Sequence, residues 1–267
     1  MLCEMEYEVS VEKNLNKELE IVEKFMNVSV CLATYNGQDF ILKQLKSILN
    51  LLKMSDEVIV VDDCSSDNTI KFIEELNDPR IKIFQNQENR GHVFSFDRAI
   101  SLASNDFIFT SDQDDIWISG RVELMIMELE RSEADVVTTN FEWMDENENF
   151  ILIPFDGVKS ANSKKYFQNI LDIYLGKTNY FGCAMAFKKS FSPIILPIPS
   201  YVESHDLWIA LASNLKMSNT HIDNNTLRKR KHLNNTTSTV STRSLYAKLK
   251  SRWIFNRSLI ELVNRIY

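Results

Sequence analysis

The residues with the clearest chemical potential are carboxylates and polar neighbours that directly follow short apolar runs. They are Thr34, Tyr35, Asn36, Asp62, Asp63, Asp112, Asp114 and Asp115. Clustered carboxylates repel one another unless a cation or hydrogen-bond donors offset the repulsion. Mg²⁺ takes oxygen ligands and is typically held by one or two carboxylates together with substrate phosphates. We therefore expect a divalent metal, Mg²⁺ or Mn²⁺, that binds a diphosphate here.

Four apolar runs predict the buried strands that position these residues. They lie at residues 28–33, 58–61, 80–84 and 107–109. Helical spacing of Ile41, Leu45, Ile48 and Leu52, and of Ile70, Ile73 and Leu76, predicts helices between the strands, and a third is expected at 93–103. This alternation predicts a mostly parallel α/β sheet with helices on both faces, which binds ligands beyond the carboxyl ends of its strands.

The second half alternates less regularly. We expect helices at 121–130, 166–175 and 205–215, a strand at 136–139, a polar turn at 145–149, and a hairpin return at 150–153. In the helix at 166–175, the shared apolar face comprises Phe167, Ile170, Leu171 and Tyr174.

Composition excludes several classes of protein. The chain has 267 residues and only six glycines, and neither GxGxxG nor the P-loop motif occurs. Its four cysteines are far apart, which favours neither a zinc site nor a disulfide framework. A net charge of −7 argues against a general nucleic-acid binder. The acidic N-terminus predicts no signal peptide, and no apolar run is long enough to span a membrane, so we expect a cytoplasmic protein.

The acidic segments resemble glycosyltransferase family 2, whose members are inverting enzymes with a GT-A fold, a Rossmann-like α/β arrangement. The resemblance runs from residue 28 to residue 235 and rests on TYN, VVDDCSSD, NRG and FTSDQDDIW, in that order. The form SDQDDIW resembles the bacterial rhamnosyltransferase-type members that build surface polysaccharides.

The resemblance implies a site for a nucleoside diphosphate sugar. Thr34, Tyr35 and Asn36 would lie at the nucleotide, with Tyr35 against the base or ribose or, alternatively, at the edge of the core. Asp62 and Asp63 would also contact the nucleotide, and an imide N–H bound by Asp63 would suit uracil or thymine. Asn89 and Gly91 match a loop near the nucleotide, although Asn89 is also a plausible turn residue. Asp112 and Asp114 would contact the sugar nucleotide, and Asp114, Asp115 and His232 the metal.

The resemblance also implies an acceptor side. Asp206, in the segment ESHDLW, would be the catalytic base, with Glu203 as second candidate; an acidic residue also suits a helix N-terminus. Gly182, Cys183 and Trp208 would contact the acceptor. Arg230 would bind the diphosphate, unless its basic segment is a solvated loop. Lys229 stands where the family often has tyrosine.

The two ends of the chain are oppositely charged. We expect an acidic helical extension at 1–27, a glycosyltransferase domain at 28–240 with a nucleotide-binding half (28–117) and an acceptor half (118–240), and a basic amphipathic helix at 241–267. That last helix suits a membrane surface, which would make the protein peripheral on the inner face of the cell membrane, or it packs on protein.

The sequence therefore predicts a metal-dependent inverting glycosyltransferase that moves a sugar, rhamnose being one candidate, to a glycan or lipid-linked glycan acceptor. The donor would be linked to dTDP or UDP. A sugar nucleotidyltransferase is the alternative enzyme, but it normally needs a glycine-rich basic loop after the first strand. A non-catalytic nucleotide-sugar-binding scaffold would have no need of a base such as Asp206.

Overall fold

The computed structural model describes residues 26–153, 157–177, 180–232 and 244–267. Most of the predicted acidic extension at 1–27 lies outside these residues.

The first half alternates strands and helices as predicted. Its elements are β1 Val28–Thr34, α1 Ile41–Leu49, β2 Glu57–Asp62, α2 Thr69–Glu75, β3 Ile81–Gln85, α3 His92–Leu102 and β4 Phe107–Ser111. The strands β2 and β4 are buried along their whole length, which explains why they read as continuous apolar runs.

The second half adds strands of both directions. Its elements are β5 Ile116–Trp117, α4 Arg121–Ser132, β6 Val136–Met144, α5 Tyr166–Leu175, β7 Met185–Lys188, α6 Ser192–Ile195, α7 His205–Leu215, β8 Asn219–Arg230 and α8 Leu245–Ile266. Short 3₁₀ turns lie at Ser160–Asn162, Gly182–Ala184 and Lys189–Phe191.

All eight strands of the described residues form one sheet in the order β3-β2-β1-β4-β7-β6-β8-β5. The strands β3, β2, β1 and β4 are parallel. Beyond them, β7 is antiparallel to β4 and β6, β8 is parallel to β6, and β5 is antiparallel to β8. The register pairs Thr34 with Asp62 and Leu32 with Ser111, so the polar segments after β1, β2 and β4 meet at one edge.

Two apolar cores cover the two faces of the sheet, because successive side chains of a strand point to opposite faces. In β1, Val30 and Leu32 belong to the core formed with α1, α2 and α4, whereas Cys31 belongs to the core formed with α3, α5, α7 and α8. The predicted α/β class with helices on both faces and a C-terminal helix is therefore confirmed.

Two local predictions were wrong, and two longer strands were missed. The polar turn forms, with Asp145 Oδ1 accepting from the Asn147 and Asn149 amides, but the predicted hairpin reduces to a single bridge between Met144 and Phe150. In α5, Phe167 is 81% exposed and the buried residues are Asn169 and Ile173. The strands β7 and β8 were not predicted.

Candidate active site

One cleft of about 490 Å³ opens at the edge where the polar segments meet. Its walls come from both halves of the chain, because the carboxyl end of β8 and the start of α7 face the segments after β1 and β4. Nine of the predicted site residues line it: Thr34, Tyr35, Asn36, Asp63, Asp112, Asp114, Gly182, Asp206 and His232.

Gln113 ties the acidic segment after β4 to the segment after β1. Its Oε1 accepts from Thr34 Oγ1 at 2.6 Å and from the Tyr35 amide at 2.9 Å, and its Nε2 donates to the Tyr35 carbonyl at 3.2 Å. A Cβ at Gly37 would lie 2.4 Å from Gln113 Oε1, so a larger residue there would have to displace this amide from Thr34 and Tyr35. Sequence reasoning missed Gln113, although it lies within the acidic motif.

Asp63 is 3% exposed and holds the NRG loop. Its Oδ1 accepts from Asn86 Nδ2 at 2.7 Å and from the Arg90 amide at 2.9 Å, and its Oδ2 accepts from the Gly91 amide at 2.7 Å. Gly91 has φ +86°, a conformation that favours glycine. The NRG loop is thus fixed to the cleft by a carboxylate that also faces the cavity.

Besides Gly91, two predicted nucleotide contacts do not line the cleft. Both carboxylate oxygens of Asp62 bind Ser65, one through its amide and one through its hydroxyl, so Asp62 closes the turn after β2. Asn89 is exposed and does not line the cavity. These placements correct the prediction for both residues.

Lys229 lies among the carboxylates of the acidic segment. Its Nζ is 2.9 Å from Asp112 Oδ2, 3.7 Å from Asp115 Oδ2 and 3.5 Å from Cys183 Sγ. Desolvation acts to lower the pKa of Lys229, but Asp112 and Asp115 outweigh it and raise that pKa well above its usual value. Desolvation likewise acts to raise the pKa of Asp112, but the ammonium holds it below its usual value. The ion pair therefore stays charged at neutral pH.

Asp115 lies beneath the cleft rather than on its wall. It is 1% exposed, and its Oδ1 accepts from the Arg230 amide at 3.1 Å. Desolvation, reinforced by Asp114 and Asp112 against the opposing effect of Lys229, raises the pKa of Asp115 to about 7. In this position the Asp115 carboxyl links the acidic segment to the backbone of β8.

A divalent metal fits one of two groups of potential ligands. Asp112, Asp115 and Cys183 place ligand atoms within 4.8 Å of one another. However, the Lys229 ammonium contacts all three groups, so a metal here would have to displace a cation that is already in place. Burial also raises the pKa of the Cys183 thiol well above its usual value, which disfavours the thiolate that binds metals, so this group fits a metal poorly.

The second group fits better. Asp114 Oδ2 lies 2.7 Å from His232 Nε2, and both residues line the cleft. One carboxylate and one imidazole leave room for the substrate phosphates and waters that complete the coordination of Mg²⁺ or Mn²⁺. Asp114 and His232 are therefore the residues of the cleft wall that could hold a metal, whereas the predicted ligand Asp115 lies beneath the wall.

Asp206 faces the same cleft from the N-terminus of α7. Its Oδ1 accepts from the Leu207 amide at 2.7 Å and its Oδ2 from the Gly182 amide at 3.3 Å. Desolvation raises the pKa of Asp206 to about 6, with a further contribution from Asp112. This value suits a general base, which works best with a pKa near the operating pH.

His205, beside Asp206, is a cleft residue that sequence reasoning did not single out. Its ring stacks on Phe96 with 3.8 Å between centroids, and neither ring nitrogen has a hydrogen-bond partner among the described residues. Desolvation lowers its pKa to about 3, so the imidazole is neutral. A Cβ at Gly182 would lie 2.3 Å from His205 Nε2, which explains glycine at that position.

The comparisons with known proteins agree with this arrangement. The family described as Glycosyl transferase family 2 matches residues 29–194, more than half of the chain. The chain belongs to glycosyltransferase family 2. The family match spans both the acidic segment and Gly182, and the chain continues beyond it into Asp206, Lys229 and His232.

Curated relatives in family 2 are similar over shorter stretches. The Escherichia coli protein UDP-Glc:α-D-GlcNAc-diphosphoundecaprenol β-1,3-glucosyltransferase WfgD is 32% identical over 120 residues, which is 45% of this chain and 47% of WfgD. Poly-β-1,6-N-acetyl-D-glucosamine synthase of Staphylococcus aureus MSSA476 is 34% identical over 108 residues, 40% of this chain and 26% of the synthase. The aligned part of the chain is thus less than half the length of these relatives.

The fold agrees with a solved family structure. Staphylococcus aureus TarS 1–349, in complex with UDP-GlcNAc, aligns with a TM-score of 0.64 and 19% identity and covers 90% of this chain and 72% of that chain. This similarity confirms the predicted GT-A fold.

The predicted ligand contacts of one basic residue and one aromatic residue need correction. Arg230 is 1% exposed, and its guanidinium donates to the carbonyls of Asp114 at 3.0 Å and Glu146 at 2.9 Å, so it clamps loops instead of facing a diphosphate. Trp208 is 2% exposed in the core, and its Nε1 donates to the Ile195 carbonyl at 2.9 Å, so it does not reach an acceptor.

Two further acceptor-side predictions are also revised. Glu203 accepts from Ser251 Oγ at 3.1 Å and lies 3.7 Å from Lys250 Nζ, so its side chain points to α8 and not into the cleft. Cys183 is 1% exposed and lies below the cleft floor, next to Lys229.

Proposed function

We propose that this chain catalyses metal-dependent, inverting transfer of a sugar from a nucleoside diphosphate sugar to a hydroxyl of a glycan or lipid-linked glycan acceptor. The observation that carries the proposal is that Asp206, with a raised pKa, shares one cleft with the acidic segment Asp112–Asp115. A nucleotide-binding scaffold has no use for a half-buried carboxyl with a pKa raised toward neutrality in the same cleft.

The donor would lie along the segments after β1, β2 and β4. Tyr35 is 46% exposed on the cleft wall and offers an aromatic face to the base or ribose. Three amide donors already bind Asp63, and a carboxylate has about four acceptor positions, so one remains for a base imide N–H. That geometry favours uracil or thymine, and Asp112 would bind the ribose.

Asp114 and His232 would hold the divalent metal at the diphosphate. When bound, such a metal neutralises the charge that develops on the departing diphosphate. Lys229 remains with Asp112 beneath the same diphosphate position, and it keeps the carboxylate oriented toward the ribose.

In the transfer step, the acceptor hydroxyl oxygen forms a bond to the anomeric carbon as the bond from that carbon to the diphosphate oxygen breaks. Asp206 takes the hydroxyl proton, and the nucleoside diphosphate leaves with the bonding electron pair. A single displacement of this kind inverts the anomeric configuration. The amides of Gly182 and Leu207 orient the Asp206 carboxylate for the proton transfer.

Similar proteins support a uridine donor. WfgD carries UDP-Glc in its name, and TarS was solved with UDP-GlcNAc. The diphosphoundecaprenol acceptor in the name of WfgD supports a lipid-linked acceptor here. Rhamnose as the transferred sugar remains a proposal based on the sequence. We also retain residues 28–240 as the proposed catalytic domain.

Calorimetric titration with UDP, dTDP, GDP and CDP, each with Mn²⁺ and then with EDTA, tests the donor site. We expect UDP or dTDP to bind at least about tenfold more tightly with Mn²⁺, and Asp114→Asn to abolish that gain. Glu142→Gln, an exposed carboxylate paired with Arg228, is the matched control and should bind as wild type does. Equal binding with Mn²⁺ and EDTA, or an unchanged metal effect in Asp114→Asn, would contradict the metal assignment.

A further inference from the structure

The helix α8 is packed on one face only. Ile254, Ser258 and Leu262 are buried, and Leu262 belongs to the core shared with α7. At 100° per residue these three positions lie within one side of the helix. They anchor α8 to the domain.

The opposite face of α8 carries large exposed side chains. Leu249 is 70% exposed, Trp253 59%, Ile260 65% and Tyr267 84%. On a helix of 3.6 residues per turn, these four positions fall within about 40° of one another, nearly opposite the buried positions. We call this set the exposed stripe of α8.

Cations flank the exposed stripe on both sides. Lys248 and Arg252 lie on one side of it, and Lys250 and Arg257 on the other. The acid within α8, Glu261, lies toward the packed side and pairs with Arg265 at 2.7 Å. The exposed stripe therefore presents apolar and aromatic groups between two basic margins, in a chain whose net charge is −7.

The helix α8 packs against a segment that borders the cleft. The N-terminal part of α8 contacts the segment that leads into α7, since Ser251 Oγ donates to Glu203 and Arg257 stacks on the ring of Tyr201 at 3.8 Å. Ser204, which follows Glu203 in the sequence, lines the cleft. A surface bound by α8 would thus lie beside the acceptor end of the cleft.

We propose that the exposed stripe of α8 docks on the surface of a bilayer that contains anionic lipid. Apolar and aromatic side chains between basic residues are what inserts at the headgroup boundary, and each Lys or Arg near an anionic surface adds to the affinity. Among the described residues, no helix is long and apolar enough to cross a membrane. Delivery of a lipid-linked acceptor to the cleft rests on the proposed function, but bilayer binding itself does not.

Sedimentation of the full chain with vesicles tests the docking surface. Vesicles of phosphatidylcholine are compared with vesicles in which about a third of the lipid is phosphatidylglycerol. We expect preferential binding to the anionic vesicles, and at least about a tenfold lower partition coefficient for the double variant Leu249→Asp/Ile260→Asp. Leu152→Asp is the matched control, because Leu152 is 85% exposed but lies outside α8.

Tryptophan fluorescence gives a second readout. Trp117, Trp143 and Trp208 are at most 8% exposed, so a blue shift on adding anionic vesicles reports Trp253. We expect that shift in wild type and its loss in Trp253→Phe, which keeps vesicle binding.

Three results would overturn the proposal. The first is equal sedimentation of wild type and the Leu249→Asp/Ile260→Asp variant, and the second is no binding of wild type to anionic vesicles. The third is self-association of wild type that the same variant abolishes, because that result would assign the exposed stripe to contact with a second copy of the chain. Metal-dependent nucleotide binding, measured on the same samples, shows that the variants are folded. It also separates failure of the docking surface from failure of the proposed function.

Discussion

Replacing Asp206 with asparagine should separate donor binding from sugar transfer. The side chain keeps its size but loses the ability to take the acceptor proton, and a positioned general base contributes about 10²- to 10⁴-fold to rate. We expect kcat to fall within that range while the dissociation constant for the nucleoside diphosphate stays within about twofold, because Asp206 faces the acceptor end of the cleft. Chromatographic quantification of released nucleotide, with calorimetry for binding, measures both.

The pH profile of wild type tests the same residue without substitution. Desolvation, together with Asp112, raises the pKa of Asp206 to about 6, and the base acts in its ionised form. Because the ionised fraction is about 0.9 at pH 7 and about 0.1 at pH 5, kcat/KM should fall about tenfold between them. Activity is thus present above this pKa and lost as the pH falls through it. Full turnover by Asp206→Asn, or a rate that rises toward pH 5, would refute the assignment.

Two further predictions concern residues that support the cleft. Lys229→Met should lower the free energy of unfolding by about 3 kcal/mol in urea titrations, because it leaves the buried Asp115 and the half-buried Asp112 without their cation. Lys43→Met, which removes an exposed lysine paired with the half-exposed Glu148, should cost less than about 1 kcal/mol, and equal losses would contradict the role of Lys229. Gly182→Ala should destabilise the wild-type protein, because the new Cβ would lie 2.3 Å from His205 Nε2. The same substitution should destabilise a His205→Ala variant much less. Additive losses of stability in this double-mutant cycle would exclude the clash.

The nucleotide half could be predicted from the sequence because its signals are local. Each strand is a short apolar run and each helix repeats its apolar positions, so the carboxyl ends of β1, β2 and β4 follow from pattern alone. The segments TYN and DQDD then fall at one edge of the sheet without knowledge of any contact. Asp62 was misassigned because a turn carboxylate that binds Ser65 has the same sequence signature as one that faces a ligand.

The contacts between β8 and the acidic segment could not be predicted in the same way. Lys229 and Asp112 are 117 residues apart, and no local sequence pattern indicates their contact. Side chains alternate along a strand, so if Lys229 faces the cleft, its neighbour Arg230 points away. The misassignment of Trp208 has a similar origin, since two residues along a helix amount to a rotation of about 200°, which turns Trp208 into the core when Asp206 faces the cleft.

The short segment Gly182–Ala184 sets the spacing between the donor and acceptor sides of the cleft. The Gly182 carbonyl accepts from Thr110 Oγ1 of β4 at 2.6 Å, its amide donates to Asp206, and the Cys183 carbonyl accepts from the buried Arg121 at 2.7 Å. The strand that precedes the acidic segment and the helix that carries Asp206, the proposed base, are therefore fixed to the same few backbone atoms. Since proton transfer depends on distances of a few tenths of an ångström, changes in this segment should lower kcat while nucleotide affinity is retained.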